Sequence, residues 1–426
     1  MISPFGPIVN NISWHFIYRI ARLGLAFFIT AWMARYLGPE RYGIYIYSIA
    51  LAELVMLFWS QGLKEVVIQQ IKERGLEKSE VSIASFQLMV IGNTLLYGVL
   101  AAIVFLFNFD ELIKILALIC GIGIWFRCFE SFELWFHSSL KIRVTVIVQF
   151  ISQLIYMISN VFLIIYSADI FWFSVTYTGQ LIFSGIGFLI VFPKRKNLKL
   201  FKTFKSLQLD LLRVGGVMML AKLSYLTSFL IDRFLIENYL GVEALGIYVA
   251  SMKLTITWIF ISTAISYSFI PILTESKTEY EFSLALIKMF RYICYISIFI
   301  TVLIYILSDY VVITVFGSGY ADSSTVLKIL IFSLPFVFVN EGIKSWLVVA
   351  KKTKFFMYSM LLTTLLSVIL NVYFLPYFGI EGAAISFLFS WALGGFLIFS
   401  IFKETRSMFK HIIKSVFIPL KLYRNT

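Results

Sequence analysis

The sequence predicts an all-α polytopic membrane protein, with about twelve transmembrane helices in two parallel six-helix repeats. Three observations predict it: the apolar content, the placement of basic residues between apolar runs, and a ten-residue motif that occurs twice. Of 426 residues, 60% are hydrophobic and only 14% are charged, and mean hydropathy is +0.90. Soluble domains sit nearer 45–50% apolar with about a quarter of residues charged. These side chains cannot supply a wetted surface, so the bilayer is the solvent that suits them. A bilayer admits only helices or a closed barrel. Unbroken apolar runs select helices, because barrel strands alternate every second residue.

The runs fall at 12–35, 43–63, 82–107, 111–137, 143–166, 170–192, 210–236, 245–271, 284–308, 323–349, 355–376 and 381–402. Turn or charge signals separate them: Gly38-Pro39, Lys72 to Glu80, Asn108, Pro193, Gly241, Gly317-Ser318-Gly319 and Gly379. No connection is long enough for a soluble domain. Pro335 falls inside the tenth run, where a missing backbone donor predicts either a kink or a merely bent helix.

Basic residues fix the expected orientation. The net charge is +13. The cations crowd into loops after even-numbered runs: Lys72, Arg74 and Lys78; Lys141 and Arg143; Lys194 to Lys205; Lys277; Lys351, Lys352 and Lys354. A basic tail adds Lys403, Arg406, Lys410, Lys414, Lys421 and Arg424. Loops after odd-numbered runs hold little beyond Arg35 and Arg41. The positive-inside rule then places even loops and both termini in the cytoplasm. Charge clustered in this way is an orientation signal and does not point to nucleic acid. Cys120, Cys128 and Cys294 lie inside apolar runs, so neither a disulfide framework nor a zinc site is expected. The N-terminus lacks a charged n-region and a small-residue cleavage site, so no cleaved signal peptide is expected.

Residues 36–45 read YLGPERYGIY and residues 239–248 read YLGVEALGIY, seven matches in ten at an offset of 203. The offset equates the first run with the seventh and the second with the eighth. It divides the chain into an N-terminal six-helix lobe at 1–203, a C-terminal lobe at 204–402 and a basic cytoplasmic tail at 403–426. An even helix number per half makes the repeat parallel, with its axis along the membrane normal. Transporters place substrate at such repeat interfaces, so transport is the expected activity.

Charges inside the runs are the candidate functional residues, since each costs about 2.5–3.5 kcal/mol at mid-bilayer on the insertion scale. His15, Arg19 and Arg22 share one face of the first run. The offset maps Arg19 onto Lys222, so each half offers a cation at matching depth, and the two are expected to face each other across the repeat axis. An anionic headgroup suits them, as arginine grips phosphate with a bidentate fork; snorkelling to the interface is the plain alternative. In the fourth run Arg127, Glu130, Glu133 and His137 form a stripe of mixed sign. That stripe is either a self-neutralising structure or a proton or cation relay. Glu53 stands alone in the second run as a candidate titrating acid. Asp232 and Arg233 are adjacent in the seventh, and Lys253, Lys328, Glu341 and Lys344 complete the set. Among the many aromatics, Trp32 and Trp59 could stack on sugar rings.

No GxxxxGK[ST] loop, HExxH, GxSxG or paired-cysteine spacing occurs, so neither an ATP-driven pump nor a known hydrolase is expected. No cofactor or metal is expected either. A glycan polymerase or glycosyltransferase is the enzyme alternative, but short external loops leave little room for its acidic site.

The doubled YLG-x-E-x-x-G-I-Y signature and FGIEGAAI at 378–385 carry a family resemblance. The chain resembles the polysaccharide-transport branch (O-antigen and capsular repeat-unit flippases) of the multidrug/oligosaccharidyl-lipid/polysaccharide exporter superfamily. The resemblance covers nearly the whole chain. It implies a V-shaped pair of lobes with a cationic lumen in the bacterial inner membrane, working by alternating access. It implies flipping of undecaprenyl-diphosphate-linked oligosaccharide units for O-antigen, lipopolysaccharide or capsule, coupled to a proton or sodium gradient, in company with a glycan polymerase machinery. On this resemblance Arg19, Arg22, Lys222, Lys253 and Arg127 would attract the diphosphate, and Glu53, Glu130, Glu133 and Asp232 would couple the ion. A multidrug exporter of the same superfamily is the alternative.

Overall fold

In lipid a spanning segment must satisfy its own backbone groups, and the described residues are almost entirely helical. The computed structural model describes residues 24–56, 78–139, 141–192 and 205–417. Within them no strand occurs. Helix α1 covers 24–56. It is followed by α2 (Lys78–Leu106), α3 (Glu111–Trp125), α4 (Ser131–Ser138), α5 (Ile142–Ile165) and α6 (Ile170–Val191). Then come α7 (Lys205–Ile256), α8 (Ile259–Glu275), α9 (Glu279–Phe316), α10 (Ser323–Leu330), α11 (Leu334–Val349), α12 (Lys354–Ser390) and α13 (Lys403–Phe417).

Eight helical stretches among the described residues are long and apolar enough to cross a membrane. Two of them, Leu223–Glu275 and Lys354–Ser400, are double length and each holds two of the expected runs. Both fold back on themselves. Tyr248 donates to Asp232, sixteen residues away, at 2.9 Å; in a straight helix those positions stand about 24 Å apart. The break is Gly241, at φ 82° and ψ 177°, a conformation open essentially to glycine alone. Gly379 (φ 57°) breaks α12 in the same way, and Ser359 bonds the Gly394 carbonyl beyond it at 2.6 Å. Gly38, which the repeat equates with Gly241, also has positive φ, 73°. The first two expected runs lie partly outside the described residues, so the described helices do not fix the total of twelve.

Other expectations shift in detail. The ninth run was expected over 284–308, yet α9 extends from Glu279 to Phe316. Its charged ends, with Glu279, Glu281 and Asp309, continue the same helix beyond the expected run. Pro335 stands at the first turn of α11, after a short 3-10 stretch at Ile331–Ser333, so it marks a break between α10 and α11. The fourth run is likewise interrupted, by a 3-10 segment at Phe126–Glu130. All three cysteines are free and buried.

The chain divides into two compact units, 1–223 and 224–426. In unit 1, Val81, Ala84, Leu88, Met89, Cys128, Leu134 and Leu211 make one core cluster, and Phe132, Val148, Phe188 and Phe192 another. Gly123 brings α3 against α6 so closely that a Cβ there would lie 2.8 Å from the Thr178 Cα. Thr178 then reaches the Ile119 carbonyl at 2.8 Å. In unit 2, Ser251 donates to the Ser323 carbonyl and Ser323 to the Ile247 carbonyl, at 2.8 and 2.9 Å. Small residues and hydroxyls pack inside, while Phe105, Phe299 and Tyr310 stay about 70% exposed, as for a protein whose outer solvent is hydrocarbon.

Candidate functional site: buried charge in each unit

In unit 2 the fold-back at Gly241 carries Tyr248 to Asp232, and α12 supplies the remaining partners. Asp232 is fully buried. Its carboxylate accepts from Ser367 Oγ at 2.5 Å, Asn371 Nδ2 at 2.8 Å and Tyr248 OH at 2.9 Å. Ser367 and Asn371 stand one turn apart on α12, so one helical face delivers both donors. No Lys, Arg or His among the described residues forms an ion pair with Asp232. The Asn371 Oδ1 is buried and has no hydrogen-bond partner there. The cluster therefore offers oxygen to a small cation or a proton.

Lys253 occupies the last turn of α7 and Arg233 its middle, both half-buried, and each lies in the other's electrostatic range. Among the described residues neither has an acidic partner within ion-pair distance. Glu341 and Lys344, by contrast, satisfy each other at 3.5 Å, with Tyr225 donating to Glu341 at 3.0 Å and Lys344 lying over the Tyr225 ring at 5.1 Å. Lys328 pairs with Asp309 at 2.9 Å.

In unit 1 the mixed stripe resolves into two local pairs. Arg127 Nε meets Glu130 at 2.9 Å, and His137 meets Glu133 at 3.3 Å, with Gln149 from α5 donating to Glu133 at 2.8 Å. Glu53 lies half-buried within electrostatic range of Arg127 and Tyr177. The structure thus gathers Glu53, Arg127 and Glu130 in one unit, while Asp232 and Lys253 belong to the other. Arg19 and Arg22 lie outside the described residues, as does Trp59. Lys222 falls on α7, but its side chain is outside them. Trp32 is about half-exposed.

Sequence reasoning missed Tyr248, Ser367 and Asn371. A signal existed for the last two: a polar pair spaced i, i+4 in an otherwise apolar run. Tyr248 is the repeat partner of Tyr45, which is buried too and approaches Tyr156 OH at 3.5 Å. The repeat thus reuses a buried tyrosine in each half with different partners.

The pattern of a family described as "Polysaccharide biosynthesis protein" matches residues 8–277, more than half of the chain. The chain belongs to that family. A second pattern, MatE, matches residues 218–373. Among curated proteins none matches the sequence. Solved structures share the fold at low identity. An inward-facing multidrug resistance MATE family transporter of the MOP superfamily is 14% identical at a TM-score of 0.73, covering 93% of this chain and 96% of that one. The lipid II flippase MurJ, in an inward closed conformation, is 16% identical at 0.67, covering 92% and 91%. A MOP superfamily transporter from Pyrococcus furiosus, noted for the reverse polarity of its binding pocket, is 14% identical at 0.62, covering 93% and 96%. The fold is that of the multidrug/oligosaccharidyl-lipid/polysaccharide transporters, and the protein is a multi-pass integral membrane protein.

Proposed function

We propose that the protein is a flippase that carries lipid-diphosphate-linked oligosaccharide repeat units across the bacterial inner membrane. The observation that carries the reading is membership of the polysaccharide biosynthesis family across residues 8–277. The shared fold of a lipid II flippase supports it, because that protein's substrate is named as a lipid. So do Lys253 and Arg233, two cations on either side of the Gly241 fold-back with no carboxylate paired to either among the described residues. Such groups cost free energy unless an anion meets them, and a diphosphate is an anion of the right kind. Arg19, Arg22 and Lys222 would complete the cationic path, with Arg127 held back by its pairing to Glu130.

On this reading the lobes are 1–203 and 204–402, both termini face the cytoplasm, and substrate moves by alternating access. Glu53, Glu130, Glu133 and Asp232 are the coupling candidates. Asp232 is the strongest of them, because two hydroxyls and an amide converge on its carboxylate and no cation among the described residues forms an ion pair with it. Sodium or a proton would enter as cargo of the gradient.

A second reading, multidrug export, has the MatE match over 218–373 in its favour. The two separate in a deletion strain assayed for surface glycan and for lipid-linked oligosaccharide. Loss of surface glycan with single lipid-linked units trapped on the cytoplasmic side supports the flippase. Intact glycan with new drug sensitivity supports multidrug export instead.

A further inference from the structure

The last crossing ends at Ser400, and α13 starts three residues later at Lys403. That spacing confines the helix to headgroup depth, whatever the chain transports. Its two faces differ sharply. Thr405, Met408, Ile412 and Ser415, spaced along one side, are buried. Lys403, Arg406, Lys410 and Lys414 are exposed on the other, against one exposed acid, Glu404.

The buried face is already satisfied by the protein itself. Arg291 of α9 donates to the Ser415 carbonyl at 3.0 Å, and Lys352 donates to the Glu404 carbonyl at 2.9 Å. Phe409 packs on Phe396 at 5.0 Å, and Thr405 bonds the Phe399 carbonyl at 2.8 Å. An amphipathic helix so docked cannot sink its apolar side into the bilayer. What it presents outward is a row of cations at the membrane surface, edged by the exposed Ile401 and Ile413. The complementary surface at that depth is a layer of anionic headgroups.

We propose that the exposed face of α13 is an anionic-lipid binding surface, holding phosphatidylglycerol-type headgroups against unit 2. This goes beyond the transport reading and stands or falls without it. The test uses the full chain in detergent carrying I413C with an environment-sensitive fluorophore; Cys120, Cys128 and Cys294 are buried. Short-chain phosphatidylglycerol and short-chain phosphatidylcholine are titrated, with inorganic phosphate as the free-anion probe. The expected result is a saturable response to phosphatidylglycerol alone, weakened by high salt. K403Q/K410Q/K414Q should weaken it on the order of 100-fold, at about fivefold for each lysine. The salt titration on the I413C chain tests the idea even where that variant folds poorly. Equal responses to the two lipids, a salt-insensitive response, or no response would overturn it. Reproduction of the effect by inorganic phosphate would also overturn it, as the surface would then read a free anion and not a lipid.

Discussion

Asp232 is a single buried side chain with a structural role in the fold and a proposed role in transport. Three donors converge on it, so removing it leaves Ser367 and Tyr248 without their acceptor in a buried site, while Asn371 keeps its bond to the Ser367 carbonyl at 2.8 Å. Each buried donor left unsatisfied costs about 1–3 kcal/mol. Asp232→Ala should therefore lower the thermal unfolding midpoint clearly, by an amount near the sum for whichever donors find no substitute carbonyl. Ser367→Ala, which removes a donor and keeps the acceptor paired twice, should cost only about 1 kcal/mol. Asp232→Asn keeps the shape but replaces an acceptor by an amide. We expect it to reach the membrane at normal level, by immunoblot, while surface glycan in a complemented deletion strain falls at least tenfold, a loss of about 1.4 kcal/mol or more. Wild-type glycan in that variant would remove Asp232 from coupling. The charge itself was legible in the sequence, because an acid inside an apolar run is conspicuous. Its partners were not, since Ser367 and Asn371 lie more than 130 residues away in sequence. The stripe in the fourth run was readable for the opposite reason: its pairs, Arg127–Glu130 and Glu133–His137, are one helical turn apart.

Turns between crossings were the most legible elements, because each needs a residue type that helices avoid. Gly241 sits at φ 82° and ψ 177°, which costs a residue with a Cβ about 1–3 kcal/mol. Gly241→Ala should lower stability by about that amount in detergent, even though nothing crowds the added methyl. A result near zero would mean that the fold-back can rearrange. Gly123 tests close approach instead of conformation. A Cβ there lies 2.8 Å from the Thr178 Cα, a backbone atom that cannot swing aside. Gly123→Val should force α3 from α6, break the Thr178 bond to the Ile119 carbonyl, and cost about 1–3 kcal/mol as overpacking does. Faster labelling of the buried Cys120 by a thiol reagent would report the opened packing. Helix length was less legible. Charged residues at the ends of α9 resemble boundaries in sequence, yet a helix leaving the bilayer continues wherever water can solvate its side chains.

At the scale of the whole molecule, the two halves of the repeat do not carry the same candidate charges. Gly38 and Gly241 both have positive φ, and Tyr45 and Tyr248 are both buried. Asp232 maps onto Ile29 and Glu53 onto Ile256, so neither of these two coupling candidates is duplicated. Among the residues assigned to the diphosphate or to the ion, only Arg19 and Lys222 match charge for charge across the repeat. A cation kept in each half suits the diphosphate that the proposed transport reading assigns to Arg19 and Lys222. Arg19→Ala with Lys222→Ala should therefore abolish glycan export while leaving the protein in the membrane. Each single variant should retain part of it, because one remaining cation still attracts a diphosphate. At about 4 Å and an effective dielectric near 20, a cation–phosphate pair is worth about 4 kcal/mol before desolvation, ample for a loss of more than tenfold. The measurement is lipid-linked oligosaccharide extracted from membranes of the complemented deletion strain, alongside surface glycan. Trapped single units in the double variant, with partial trapping in each single one, would tie both lobes to the diphosphate. Normal export in the double variant would remove the matched cations from the path and return them to the membrane interface as snorkelling side chains.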